Sequence, residues 1–278
     1  MEQTLETWVE RAKEGDRAAL EELVRGIKDR IYNLAMRMLW HPADAEDATQ
    51  EILIKIVTHL SSFRSESAFT TWVYRIASNF LLTTRKRLAE QHALTFEQLG
   101  EDLDEGLSEP PLQVPPEADQ GLLVKEVKIG CTQGMLLCLD RDHRMTYILG
   151  EIFEVTSDEG SDILGITTAA FRKRLSRART QIRAFMREKC GLVNASVPCR
   201  CAKRVSAVID SGRLDPEHLL FADHPARDTT LIARVQEVEE LEQAAAVFQS
   251  HPDYAAPDKF VEGIKQLVES GKFGMLRE

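Results

Sequence analysis

The sequence has no apolar run of the roughly 18 residues that a membrane helix needs, and no alternating pattern typical of β-strands. Its first residues are acidic and are not followed by the apolar segment of a signal peptide. A phosphate-binding glycine loop, an H-E-x-x-H motif and a nucleophile motif are also missing. We therefore expect a cytoplasmic protein that has no membrane partner and is not an enzyme.

Aromatic residues make up only 6% of the 278 residues, but several concentrate in residues 63–87, FRSESAFTTWVYRIASNFLLTTRKR. This segment has apolar residues at helical spacing and ends in a basic cluster. Aromatic rings beside cations suit the binding of unstacked bases, because rings stack on base faces while Lys and Arg lie along the phosphates. The alternative interpretation is an ordinary bundle helix with a solvated basic end.

The net charge of −10 and the sequence pI near 5.3 argue against a nucleic-acid partner. The charge is unevenly distributed, however. Residues 97–119 contain acids and no Lys or Arg, whereas residues 172–189 contain eight cations and the single acid Glu188. Because local charge decides where a polyanion docks, the basic segment is a candidate nucleic-acid surface.

The length predicts about two domains. The apolar residues of the first part form four stripes of helical spacing, at 20–27, 31–39, 52–60 and 72–81. These stripes predict an all-α fold with an N-terminal helical bundle over residues 1–90. Residues 91–121 are acidic, contain four prolines and show no periodicity, which predicts a flexible linker. A second helical domain is expected over residues 122–188, followed by a C-terminal helical extension over residues 189–278.

The second domain contains a predicted helix-turn-helix. Thr156 and Glu159 have capping-box spacing and start a short helix that ends at Leu164, after which Gly165 permits a tight turn. An interior glycine, Gly160, is expected to cost this short helix about 1 kcal/mol relative to alanine.

A basic helix follows that turn and is the candidate recognition helix. Four of its cations are candidates to reach bases and phosphates: Arg172, Lys173, Arg174 and Arg177. An antiparallel helical hairpin with a solvated basic face is the alternative.

Three cysteines open the C-terminal extension. Cys190, Cys199 and Cys201 have the spacing C-x8-C-x-C, which is not a standard zinc pattern. Clustered cysteines in a reducing compartment suggest metal binding or redox sensing, so these three are candidate ligands of zinc or another metal. The fourth ligand would be His218, His224 or another cysteine. Two further cysteines, at 131 and 138, are expected to be small core residues.

Taken together, these segments resemble the extracytoplasmic-function (ECF) group of bacterial RNA polymerase sigma factors. Residues 31–56, IYNLAMRMLWHPADAEDATQEILIKI, are similar to the segment that binds the polymerase clamp. Residues 63–87 are similar to the segment that melts and reads the minus-ten promoter element. Residues 139–183, LDRDHRMTYILGEIFEVTSDEGSDILGITTAAFRKRLSRARTQIR, are similar to the helix-turn-helix that reads the minus-thirty-five element.

The resemblance implies a sigma factor whose partners are core RNA polymerase, promoter DNA in duplex and single-stranded form, and an anti-sigma protein. The implied polymerase-binding residues are Asp44, Asp47, Gln50 and Glu51, although acids near a helix start also act as simple capping residues. The implied minus-ten residues are Phe69, Trp72, Arg75, Asn79, Arg85, Lys86 and Arg87. The implied minus-thirty-five residues are Thr168, Arg172, Lys173, Arg174, Ser176, Arg177 and Arg179. No cofactor is required by this function.

Two other functional classes stay open at this point. One is a helix-turn-helix regulator that binds duplex DNA without polymerase, and the other is a metal- or redox-sensing adaptor. By analogy with ECF sigma factors that carry a fused regulator, residues 189–278 would dock on a DNA-binding domain and gate its activity. The alternative is a helical addition that only stabilises the second domain.

Overall fold

The computed structural model describes residues 4–84, 94–107, 119–222 and 240–270, which form twelve α-helices and no β-strand. The prediction of an all-α fold is confirmed. The first four helices are α1 (Leu5–Lys13), α2 (Arg17–Leu39), α3 (Pro42–Thr58) and α4 (Phe69–Thr83). The next five are α5 (Phe96–Glu105), α6 (Gln120–Cys138), α7 (Arg141–Tyr147), α8 (Ser157–Leu164) and α9 (Thr168–Lys189). The last three are α10 (Cys201–Asp210), α11 (Glu240–Gln249) and α12 (Lys259–Glu269).

The chain divides into two compact units. The first comprises Met1–Ala89, Thr156–Phe171 and Tyr254–Glu278, and the second comprises Glu90–Val155 and Arg172–Asp253. The C-terminal extension therefore contributes residues to both units rather than forming a domain of its own. Within the described ranges, no helix is both long and apolar enough to cross a bilayer.

The first unit is built on α2, a helix of 23 residues that packs against α1, α3 and α4. Asp16 caps its N-terminus by accepting a hydrogen bond from the Ala19 amide at 3.0 Å. The first two predicted apolar stripes both lie on this one helix, and their residues Leu23 and Leu34 are fully buried. The spacing thus predicted the helical core correctly but not that the two stripes form a continuous element.

Helix α5 lies within the segment predicted to be an aperiodic linker. Thr95 and Gln98 form a capping box at its start. In the second unit, the ring of Phe96 lies 5.2 Å from that of Phe185, and Lys189 donates a 2.6 Å hydrogen bond to Asp104. That bond raises the pKa of Lys189. The prediction of no regular structure is therefore wrong for this part, while the proline-containing part lies outside the described residues.

The predicted helix-turn-helix elements are present. The Thr156 hydroxyl accepts a hydrogen bond from the Glu159 amide, and the Glu159 carboxylate accepts one from the Thr156 amide, which completes the capping box. Helix α8 ends at Leu164, and Gly165 adopts a left-handed conformation with φ of 63°. The local signals in the sequence therefore predicted both ends of this short helix.

Close packing explains why a glycine occupies position 160, despite its low helix propensity. A Cβ atom at this position would lie 2.3 Å from two ring carbons of Phe171, which is fully buried. The missing side chain lets the ring approach the backbone of α8, so the glycine permits close packing and is not simply a weak point.

We expect Gly160→Ala to lower the free energy of unfolding by about 1–3 kcal/mol, because the new methyl group overpacks the site against Phe171. Gly130→Ala is the matched control, since Gly130 also lies inside a helix but a Cβ atom there would meet no other atom within 4 Å. It should be neutral or stabilising by up to about 1 kcal/mol. Urea unfolding of both variants checks this, and equal behaviour would contradict the close approach.

Candidate polymerase and nucleic-acid interface

Helix α3 presents the four predicted polymerase-binding residues. Asp47, Gln50 and Glu51 are exposed, and Asp44 is partly exposed in the first turn. With 3.6 residues per turn, Asp47 and Glu51 lie on one stripe of the helix, while Gln50 lies on the adjacent stripe with Glu46 and Leu53. The helix therefore offers an acidic and polar face at its N-terminal half.

The stripe of Gln50 is next to the C-terminal helix α12, within the first unit. Gln50 and Leu53 share a small crevice with Phe260 and Ile264 of α12. The Lys259 ammonium also forms an ion pair with the Glu46 carboxylate. One edge of the acidic face is thus bordered by the C-terminal helix α12.

The segment before α12 is held by polar side chains of α2, of which Lys28 and Asn33 are buried and Asp29 is exposed. The Asn33 amide donates to the Tyr254 carbonyl at 2.8 Å and accepts from the Tyr254 amide at 3.0 Å. Lys28 donates to the Ala256 carbonyl at 2.6 Å, and the Asp29 carboxylate accepts from the Ala256 amide at 2.8 Å. These bonds satisfy polar groups that would otherwise be costly to bury.

A surface groove of about 310 Å³ lies where the loop before α4 meets that helix. It is lined by Phe63, Arg64, Trp72 and Arg75, together with the loop residues Ser62, Glu66 and Ser67. Trp72 is partly exposed, whereas Arg64 and Arg75 are exposed. An aromatic face beside two cations is the arrangement that holds an unstacked base and its phosphates.

Phe69 is a correction to the predicted base-binding set. Its ring is fully buried, at 5.2 Å from the ring of Phe63 and 5.6 Å from that of Trp72. A ring without exposed surface cannot stack on a base in this conformation, so Phe69 supports Trp72 instead. Asn79 is exposed on the same helix, and residues 85–87 lie outside the described residues.

Arg75 already has an intramolecular partner. Its Nε donates a 2.9 Å hydrogen bond to the carbonyl oxygen of Asp162 in α8, and α8 packs against α4 within the first unit. The first helix of the helix-turn-helix therefore lies on the segment predicted to read the minus-ten element.

The predicted residues of α9 divide into two groups. Arg172, Lys173, Ser176 and Arg177 are exposed. Arg174 lies 3.2 Å from the Asp142 carboxylate, and Arg179 donates to the Glu151 carboxylate at 2.7 Å.

Thr168, at the start of α9, also has intramolecular partners: its hydroxyl lies 3.2 Å from that of Ser161 and 3.2 Å from the Asp158 carboxylate. Arg174, Arg179 and Thr168 are thus held in place by hydrogen bonds or ion pairs within the protein. The exposed group, which includes Arg172 and Lys173, is the better candidate for DNA contact.

The cysteines of the extension do not form a preassembled metal cage. Among the residues that the structure describes, no three Cys, His, Asp or Glu side chains have an arrangement that would hold a metal ion. His218 is exposed and pairs with Asp215 at 3.0 Å, and residue 224 lies outside the described ranges. All five cysteines are free thiols.

Comparison with known proteins identifies the family. A model of Sigma-70 region 2 matches residues 23–90. The ECF RNA polymerase sigma factor SigW of Bacillus subtilis is 30% identical over 193 residues, which cover 68% of this chain and 100% of SigW. The chain belongs to the ECF sigma factors. This sigma factor thus functions in transcription initiation, through RNA polymerase binding and promoter recognition. The two alternatives, a helix-turn-helix regulator that works without polymerase and a metal- or redox-sensing adaptor, are therefore rejected as its function.

Other relatives agree with this assignment. SigE of Mycolicibacterium smegmatis is 31% identical over 176 residues, covering 62% of this sigma factor and 64% of SigE. The sigma-E factor of Escherichia coli K12 is 29% identical over 178 residues, covering 63% and 90% of the two chains. About a third of this sigma factor has no counterpart in SigW.

Sequence reasoning missed Asn33 and Arg64. Asn33 interrupts an otherwise apolar stripe of α2, a signal that a polar partner covers it, but that partner is 221 residues away. Arg64 belongs to the short polar loop before α4, where a cation next to aromatic residues was a usable signal.

We expect the double variant Arg172→Ala/Lys173→Ala to weaken DNA binding by the reconstituted polymerase holoenzyme. The slope of log affinity against log salt should fall by about 1.8, at about 0.9 for each lost phosphate contact. Arg25→Ala/Arg30→Ala is the control, because it removes two exposed cations of α2. Fluorescence anisotropy with duplex DNA at several salt concentrations provides the measurement, and an unchanged slope would contradict the assignment.

Proposed function

We propose that the sigma factor binds core polymerase through the acidic face of α3. Asp47 and Glu51 are exposed on one stripe, and Asp44 lies in the first turn, where acids also favour the helix dipole. A rigid helix that carries several acids suits a basic partner surface, because complementary charge steers association and fixes orientation. This protein would act in the cytoplasm by binding and strand separation, with no bond-breaking chemistry.

The groove beside Trp72 is the proposed site for an unpaired minus-ten base. Trp72 offers a partly exposed ring that is held in place by the buried Phe69. Arg64 and Arg75 lie at the edge of the same groove, where they would meet the flanking phosphates. A base captured there is taken out of the stack, which keeps the promoter strands apart.

The exposed side of α9 is the proposed minus-thirty-five reader. Arg172 and Lys173 follow the N-terminal turn of that helix, where a recognition helix contacts base edges. Arg174 and Arg179 would serve mainly to hold the helix against α7 and the turn after it through Asp142 and Glu151.

The C-terminal segment from Tyr254 to the end of α12 is proposed to gate polymerase binding. It borders the α3 stripe of Gln50 and pairs with Glu46, directly beside the stripe of Asp47. A polymerase surface that binds this face would compete with α12 for Gln50. A separate anti-sigma protein stays a prediction, and it would meet the same edge of α3.

We expect Asp44→Arg/Asp47→Arg to reduce the capture of core RNA polymerase by at least about tenfold, because like charges would then face each other. Glu6→Arg/Glu14→Arg is the matched control, since it makes the same charge change at exposed positions flanking or within α1. A quantitative pull-down compares the variants. Equal loss in both would indicate a net-charge effect, and no loss in either would defeat the proposed face.

We expect Tyr254→Ala/Phe260→Ala to raise the apparent affinity for core polymerase by roughly fivefold or more, because the competing segment is loosened. Gln266→Ala, at an exposed position of α12, should leave the affinity unchanged. Circular dichroism checks that the helices persist in each variant.

A charge swap gives a second, milder test. Lys259→Glu should raise the affinity, and the added Glu46→Lys should restore the wild-type value by re-forming the ion pair. If both loosened variants bind polymerase as the wild type does, the segment only stabilises the fold and gating is excluded.

A further inference from the structure

The C-terminal extension passes from the second unit to the first between Asp253 and Tyr254. The residues on each side of this crossing are anchored by buried contacts, each within its own unit. The crossing, residues 250–254, is here named the strap. Because it is covalent, its length limits how far its two anchors can separate.

The first anchor fixes the start of the strap to α6 in the second unit. His251 is only 2% exposed, and its Nε2 atom lies 2.7 Å from the Thr132 hydroxyl. Lys128, one turn earlier on the same helix, donates a 3.1 Å hydrogen bond to the Ser250 hydroxyl. Two neighbouring residues of the strap thus bind one face of α6.

Helix α11, which leads into the strap, is braced close to the candidate recognition helix. The fully buried ring of Phe248 packs edge-on at 5.4 Å from the ring of Tyr147 in α7. Gln249 donates a 2.7 Å hydrogen bond to the Glu151 carbonyl, and the Glu151 carboxylate pairs with Arg179 of α9. The first anchor therefore extends to the helix that carries the exposed cations.

The second anchor fixes the end of the strap to the helical bundle of the first unit. Tyr254 is fully buried, and its backbone exchanges two hydrogen bonds with the Asn33 side chain of α2. Two residues later, Ala256 is held by Lys28 and Asp29 of the same helix. Helix α12 then packs on α2 and α3. This end of the strap is therefore attached to the bundle that contains α4.

The strap is too short for the two DNA-reading segments to part widely. From His251 to Tyr254 the chain extends to at most about 11 Å, at roughly 3.6 Å per residue. The minus-ten and minus-thirty-five elements are about 25 base pairs apart, which is roughly 85 Å of straight duplex at 3.4 Å per base pair. A domain of about 90 residues has a radius of gyration near 12 Å and is thus about 30 Å across. Two such domains joined by the strap reach only about 70 Å.

The strap also favours the contact between α8 and α4. In the first unit, Arg75 of α4 donates a hydrogen bond to the Asp162 carbonyl of α8. Helix α8 is followed directly by α9, and Phe171 of α9 packs closely on Gly160 of α8. A short connection between two bodies gives their contacting surfaces a high effective concentration. The strap therefore opposes the separation of α8 from the segment that is proposed to read the minus-ten element.

We propose that the strap is an autoinhibitory device. With both anchors in place, the sigma factor cannot put α4 and α9 on their two promoter elements at the same time. This proposal rests on the proposed function, since it takes those helices as the two readers.

The Tyr254 anchor is the end that releases. It leads directly into α12, which borders the α3 face where polymerase is proposed to bind. Polymerase that displaces α12 would also free Tyr254 from α2 and so let the two readers separate. Polymerase binding and the reach of promoter recognition are thereby coupled.

The test lengthens the strap without removing any contact. A flexible Gly-Ser insert of about 24 residues between Pro252 and Asp253 keeps both anchors and adds roughly 25 Å of root-mean-square reach. The same insert after Ser270, beyond the end of α12, is the matched control, because the strap then keeps its length. Circular dichroism checks that both proteins keep their helices.

Electron–electron resonance between two spin labels measures the separation in the full-length protein. The labels replace the exposed residues Arg30 of α2 and Gln181 of α9. They are attached through non-canonical amino acids, because the chain contains five cysteines. Effective concentration falls with about the −3/2 power of the connection length, so the strap insert should raise the ratio of separated to closed molecules by roughly tenfold. The control insert should give the wild-type distribution.

Two results in the free protein would overturn the strap. One is a wild type that is already as separated as the strap-insert variant. The other is a strap-insert variant that keeps the wild-type distances, which would show that the length of the strap does not hold the readers together.

Core RNA polymerase provides the second arm of the test. Its addition should shift the wild-type distances to longer values, whereas Asp44→Arg/Asp47→Arg should keep the short ones. Polymerase that binds the wild type without changing the distances would overturn the release at Tyr254. A charge-reversed variant that binds polymerase as the wild type does would instead defeat the proposed α3 face. The comparison of the two inserts needs no polymerase, so these failures are distinguishable.

Discussion

The burial of polar side chains on α2 is the constraint on which the first unit depends. Lys28, Asn33 and Arg37 all belong to α2, and each is at least 92% buried. Groups of this kind are stable inside a protein only when hydrogen bonds satisfy them. Residues 254–256 supply those bonds to Lys28 and Asn33, and the Tyr254 ring lies 5.6 Å from the Arg37 guanidinium. The extension is therefore built into the bundle rather than attached to it.

The same segment continues into α12 and lies beside the acidic face of α3. The fold thus uses one length of chain both to satisfy α2 and to border the surface proposed for polymerase. Under the proposed gating, loosening Tyr254 from α2 would also loosen α12 beside Gln50. Such gating requires that the arrangement with α12 docked beside α3 and the arrangement with α12 released have comparable free energies. The partly exposed ion pair of Lys259 with Glu46 contributes little to the free energy of docking.

Charge in this sigma factor is organised locally. Its net charge of −10 opposes DNA binding, but the cations of α9 are concentrated on one helix. Ion pairs of Arg174 with Asp142 and of Arg179 with Glu151 fix that helix in the second unit and leave Arg172 and Lys173 exposed. The acids close to α9 therefore position it, which is how an acidic chain can still present the basic surface that is proposed to meet promoter DNA.

The sequence by itself determined the all-α fold class, the capping box of Thr156 with Glu159, the turn at Gly165 and the basic character of α9. These features depend on residues within one or two turns of each other, so periodicity and local hydrogen bonding suffice to predict them. Tertiary structure alone decided that Arg179 is paired with Glu151 and that Asn33 meets Tyr254. Each of these depends on residues that are distant in the chain, up to 221 positions apart for Asn33 and Tyr254, and no local pattern encodes such contacts.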